Sequence, residues 1–346
     1  MNAPKIMKET KNTIKVDFER TSKWTKFKIR YLSARFLQQI VWVIFRVVIL
    51  LGISYVILFP FLAKIASSFM SRDDFVDVTV KMIARYPTLD TYKAIIRDRF
   101  YVQALINTVI LSSFCAIIQT MICSVIGYGF AKFKFKGSSI LFFLVIFTMV
   151  VPHETLQLSM FMKFRYFDIL GIFKFLGGGI FEGLKVLPFT SINLNNSYWP
   201  LVILSFGGLA FKNGLYIFMM RQFFRGVPDE LEESAYIDGS GVFRTFVQII
   251  LPLSVPMMIT IFLFVFSWQW TDDFYTTVFF TTEGYKLMPD VIGVPKSLDT
   301  NYAGQNLYIS AIQNTCGLMI IAPLIVIYLF FQRYLIQGIE RSGIVG

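Results

Sequence analysis

One histidine and three cysteines are all that this 346-residue chain offers a transition metal. His153 has no partner histidine, and a zinc site needs three or four converging ligands. Cys115, Cys123 and Cys316 are scattered through apolar runs. They fit neither a disulfide framework nor a metal site and read as small packing residues. Charge is scarce as well, at 16% of residues, and no cluster of carboxylates, histidine and a nucleophile suggests an enzyme. The stretch Gly178 to Lys185 looks superficially like a phosphate loop, but its lysine arrives one residue late and no Ser or Thr follows. The chain therefore has no nucleotide-hydrolysing site of its own, and neither a cofactor nor a metal is expected on it. Ionisable groups are also lacking near the centres of the apolar runs. That counts against the alternative of a secondary transporter or channel driven by an ion gradient, which needs a buried proton or ion site.

What the sequence has is hydrophobicity: 55% of residues, gathered in several runs of about 20. The pattern predicts an all-α polytopic membrane protein rather than a soluble core. The net charge of +11 is concentrated ahead of the first run, where 11 of the 33 Lys and Arg precede residue 47 against only Glu9, Asp17 and Glu19. A basic flank of this kind is the positive-inside signal. With no aromatic residues interleaved among base-reading groups, it does not suggest nucleic acid. The first run starts too late, and lacks the small-residue cleavage site, for a removed signal peptide.

Taken in order, residues 1–36 read as a basic cytoplasmic tail suited to anionic lipid, and residues 37–346 as the transmembrane domain. Crossings are expected from about Val43 to Ala63, Ala104 to Ala131, Ser138 to Met160, Trp199 to Phe224, Pro252 to Tyr275 and Asn306 to Phe331. Six crossings place both termini in the cytoplasm, with the Lys132, Lys134 and Lys136 loop on the same side. Residues 70–103, 163–197 and the loop with Asp290, Pro295 and Lys296 then lie outside.

Polar groups inside the spans, Asn107, Gln119, Asn213, Gln269, Gln313 and Asn314, face either other helices or a hydrated path. Trp268, Trp270, Asp272 and Asp273 stand together at the outer end of the fifth span. Aromatic faces stack on the C–H side of a sugar ring and carboxylates accept its hydroxyl hydrogen bonds. Tryptophan is equally expected at a membrane interface as an anchor. The candidate solute path is thus Trp268, Trp270, Asp272, Asp273, Asn107 and Asn314.

The cytoplasmic loop 225–252 is the most informative stretch. Pro228 suits a first helical turn, and Asp229, Glu230, Glu232 and Glu233 crowd the positive end of that helix. Gly239 can take the left-handed conformation that ends it, and Val242 to Gln248 can form a second short helix. Glu233-Ser234-Ala235, Gly239, then Ile249-x-Leu251-Pro252 resembles the EAA loop of ATP-binding-cassette importer permeases. Further segments resemble the carbohydrate, maltose-type branch of that family. They are Thr88 to Tyr92, Asn107-Thr108, Gly127 to Phe133 with Lys136-Gly137, Trp270 with Asp273-Phe274, and Gln337-Gly338-Ile339 with Gly343 to Gly346. Ser234 stands in place of an alanine, Val345 in place of a common lysine, and one residue is inserted near Asp272.

The resemblance implies a permease subunit paired with a second, different one around a single translocation path, carrying a sugar or oligosaccharide. It implies two cytoplasmic ATPase subunits that receive the EAA helix and use ATP and magnesium. It also implies an extracytoplasmic solute-binding protein, in the cell membrane of a bacterium or archaeon. Glu233, Ser234, Ala235, Gly239, Ile249, Leu251 and Pro252 would form the ATPase-coupling loop.

Overall fold

The computed structural model describes residues 34–177, 188–282, 286–301 and 305–341. The basic tail through residue 33, the Gly178–Lys185 stretch and the Gly343–Gly346 end lie outside those residues. Among the described residues the chain is helical, with one antiparallel β-bridge between Phe167 and Ile192 and no strand. It divides into two units, Met1–Ala66 and Ser67–Gly346.

The described part of the first unit is one helix, α1 (Ala34–Ser68). Its apolar stretch Gln38–Ser68 has 31 residues, ample for a hydrocarbon core of about 30 Å. Pro60 lies inside it, as a membrane helix tolerates.

The second unit begins its helices with α2 (Asp90–Asp98) and α3 (Tyr101–Lys132). Phe100 joins them in the left-handed conformation (φ 53°), uncommon for a bulky residue. Beside it the Arg99 guanidinium donates to the carbonyls of Asp290, Val291 and Ile292, holding the corner against that loop. Next come α4 (Ser138–Phe147), α5 (Gln157–Arg165), α6 (Trp199–Phe206) and α7 (Asn213–Arg225). They are followed by α8 (Glu230–Ile237), α9 (Val242–Thr245), α10 (Val255–Trp270), α11 (Phe274–Phe279) and α12 (Gln305–Arg341).

Three of these helices, α1, α3 and α12, are long and apolar enough to cross a bilayer. Val242–Leu253 and Val255–Trp270, meeting at 75°, add a fourth if that bent pair is one span. Two other stretches expected as crossings are interrupted. After Phe147 the chain leaves the helix, and Pro152 starts a short 3₁₀ turn at His153–Leu156 before α5. Proline removes a helix donor and restrains the residue before it, so the break falls there. Between α6 and α7, Gly208 (φ 65°) and Lys212 (φ 64°) turn the chain out of helical geometry.

The core of the second unit is built on α3, along which α7 and α10 pack, with α12 against α10. Close approach depends on Gly127 of α3. A Cβ there would sit 2.6 Å from the Met220 Cβ and 3.0 Å from the Arg221 nitrogen. Small residues allow helix backbones to meet in this way. Gly127→Ala is expected to force α3 from α7 and lower stability by about 1–3 kcal/mol. The measurement is the thermal unfolding midpoint in detergent; an unchanged midpoint would mean the helices part without strain.

Candidate functional site

Two regions carry the residues singled out in the sequence. The first is the elbow formed by α8 and α9. Lys132, at the end of α3 and almost fully buried, donates to the Val227 carbonyl at 2.7 Å and to Asp229 Oδ1 at 2.5 Å. That bond holds the Asp229 carboxyl below its usual range and fixes the start of the elbow to the end of α3. The link was not read from the sequence, where Lys132 counted towards loop charge and the Gly127 to Phe133 resemblance.

Within α8, Ala235 is buried and Glu233 is exposed, while Ser234 Oγ donates back to the Glu230 carbonyl at 2.7 Å. Gly239, with φ 79°, ends the helix, and the Ser240 amide closes onto the Ala235 carbonyl at 2.9 Å. Glu232 is buried instead of solvated, next to Tyr128, whose ring lies 4.6 Å from Phe246.

The tip of the elbow is apolar. Ile237 is 86% exposed and Phe243 78% exposed, on either side of the Gly239–Gly241 corner. These two were missed in the sequence, although large apolar residues in an otherwise polar loop are the available signal. From α9 the chain passes through one π-helical turn, Phe246–Ile250, a geometry often found at functional positions. Ile249 and Leu251 are half-buried and Pro252 is exposed there. The chain then bends at Ser254, whose hydroxyl donates to the Leu251 carbonyl, into α10.

The second region is a cavity of about 180 Å³ at the far end of α10. Trp268, Asp272 and Asp273 line it, together with Gln119 of α3, Glu154 and Phe211. Asp272 Oδ1 accepts from the Tyr275 amide at 3.2 Å, while its Oδ2 has no partner among the described residues. The Lys212 ammonium lies 4.9 Å from the Phe211 ring centre and 5.2 Å from that of Trp268.

Trp270 requires a correction. It is completely buried between helices, its indole N–H donates to the Ile320 carbonyl of α12 at 3.0 Å, and its ring packs on Phe266. Two residues along a helix is more than half a turn, so Trp268 and Trp270 face different ways. Trp270 is neither an interfacial anchor nor part of the cavity wall. Asn107 is likewise engaged elsewhere, donating to the Lys286 carbonyl at 3.0 Å, and Asn314 on α12 does not line the cavity.

Comparison with known proteins gives one consistent result. Residues 123–341 match the family described as "Binding-protein-dependent transport system inner membrane component". The chain is 26% identical to the galactooligosaccharides transport system permease protein GanQ of Bacillus subtilis (strain 168), over 88% of this chain and 95% of that protein. It is also 26% identical to the maltodextrin transport system permease protein MalD of Streptococcus pneumoniae (strain ATCC BAA-255 / R6), over 85% of this chain and 92% of that protein. A crystal structure of a bacterial ABC transporter that imports the acidic polysaccharide alginate shares the fold. The TM-score is 0.62 at 18% identity, covering 86% of this chain and 97% of that one.

Proposed function

The chain belongs to the family of binding-protein-dependent transport system inner membrane components, and from that premise we propose the part it plays. It is a transporter subunit and not an enzyme, the permease of an ATP-binding-cassette importer. It pairs with a second permease, docks two ATPases on the cytoplasmic side and receives an oligosaccharide from an extracytoplasmic binding protein. ATP and magnesium act in the ATPase partners. The setting is the plasma membrane of a bacterium or archaeon, with six crossings, some broken, and both termini in the cytoplasm.

One observation carries this reading. A single run of backbone leads from the exposed elbow, through the π turn at Phe246–Ile250, along α10 to the cavity wall at Trp268 and Asp272. Movement of a partner seated on the elbow therefore reaches the cavity without crossing a loose linker. Ile237 and Phe243 give the partner an apolar contact, and Glu233 gives it a charge. The carboxylates and the Trp268 ring in the cavity suit a hydroxyl-rich solute.

Cysteine scanning in intact cells tests the orientation. Positions 286–300 are expected to react with a membrane-impermeant maleimide, and positions 132–137 only after permeabilisation. The reverse pattern would put the elbow outside and remove the ATPase from the scheme. Uptake into proteoliposomes that needs internal ATP and survives collapse of ion gradients is the companion result.

A further inference from the structure

Gln119 lies midway along α3 and is 3% exposed, yet one of its side-chain atoms has no partner among the described residues. Its Nε2 is 3.2 Å from Ser205 Oγ, and that hydroxyl donates in turn to the Leu201 carbonyl at 2.7 Å. Since the Ser205 proton is committed to Leu201, Ser205 must accept from the amide. This fixes the amide orientation: the nitrogen faces α6 and Oε1 is left over. Gln119 also lines the cavity beside Trp268 and Asp272, and Asp272 Oδ2 is a second unpartnered acceptor there. Both acceptors border the same cavity, where a solute with hydroxyl groups can reach them.

Charge narrows the choice of donor. Glu154, Asp272 and Asp273 border the cavity, and the ammonium of Lys212 lies over the Phe211 and Trp268 rings. Three carboxylates against one ammonium leave the wall acidic. Such a wall accepts hydrogen bonds from neutral hydroxyls and repels another carboxylate. The Trp268 ring supplies a flat apolar face of the kind a sugar ring stacks on.

We propose that this cavity is a subsite for one unit of an uncharged oligosaccharide, with Gln119 Oε1 as its deep hydrogen-bond acceptor, and that it rejects uronate sugars. The inference rests on the importer reading above and adds the substrate class. The sequence leaves Gln119 open between a helix contact and a hydrated path; it performs both tasks with different atoms.

The test uses the complete reconstituted complex of both permeases, the ATPases and the binding protein, with maltotriose, galactotriose and arabinotriose as neutral probes and trigalacturonate as the acidic one. At least one neutral trisaccharide is expected to be carried, with trigalacturonate at least about tenfold slower. Gln119→Met, close in shape, is expected to lower kcat/KM for that neutral sugar about tenfold, as loss of one buried hydrogen bond implies. Ser205→Ala, which removes the interhelical bond and the hydroxyl's bond to the Leu201 carbonyl but leaves Gln119 Oε1 in place, is expected to stay within about twofold. Equal losses in the two variants would make Gln119 purely structural and overturn the subsite, while leaving the importer reading intact. Uptake of trigalacturonate at the neutral rate would also overturn it, and that arm needs no variant to fold. Absence of ATP-driven uptake for all four sugars would sink the importer reading and this inference with it.

Discussion

Trp270→Ala is expected to destabilise the protein by about 3–5 kcal/mol, the range for deleting a buried aromatic side chain. The indole has 0% exposure and fills the space between α10 and α12, with Phe266 one turn away on the same face. Inside a membrane there is no water to drive collapse, so the loss is chiefly of packing contacts. The bond to the Ile320 carbonyl contributes less, because helical carbonyls already accept from their own backbone. Trp270→Phe should therefore lose only about 0.5–1.5 kcal/mol. Thermal unfolding in detergent and recovery of the partner permease on co-purification measure both. If uptake falls while the unfolding midpoint and recovery stay unchanged, Trp270 belongs to the solute path and the packing account is wrong.

Glu233→Lys is expected to abolish uptake with the fold intact. Glu233 is exposed, makes no internal ion pair among the described residues, and stands on the elbow beside the apolar tip. Reversing its charge would leave α8 folded and, on the proposed docking, set a cation against whatever basic group of the ATPase pairs with Glu233. If that contact is desolvated, the loss is about 2–5 kcal/mol of docking. Gly239 provides an independent lever on the same elbow. Among the described residues nothing lies within 4 Å of a Cβ placed there, so the effect of a side chain is conformational and not steric. At φ 79° aspartate tolerates the left-handed region and valine does not. Gly239→Val should then uncouple transport more severely than Gly239→Asp. The readouts are uptake and ATPase co-purification; normal uptake in Glu233→Lys and Gly239→Val would remove the elbow from coupling.

The family was legible in the sequence because the EAA-like loop fixes residue identities at set spacings, from Glu233 through Gly239 to Pro252. The membrane class was legible because lipid demands long apolar runs, a property of composition. Helix continuity was less so. Hydropathy sees 199–224 as one run, while Gly207-Gly208 and Lys212 break it; the glycine pair was the signal available. Trp270 and Trp268 could not be told apart by residue type, only by helical phase. Gln119 and Lys132 were visible as polar residues, but their partners Ser205, Val227 and Asp229 lie 86 to 97 positions away. No local pattern encodes such pairings.

The 75° bend at Ser254 also has a mechanical meaning. A push along the axis of the elbow segment is nearly perpendicular to α10, so little of it slides that helix lengthwise. Most of it becomes tilt about the bend, as with a crank and its arm. The arm is 16 residues, about 24 Å long at 1.5 Å per residue. Each 10° of tilt would thus displace its far end by about 4 Å, on the scale of a sugar ring's width. The excursion approaches its greatest at Trp268, two residues short of the arm's end, whereas Ser254 stays at the pivot.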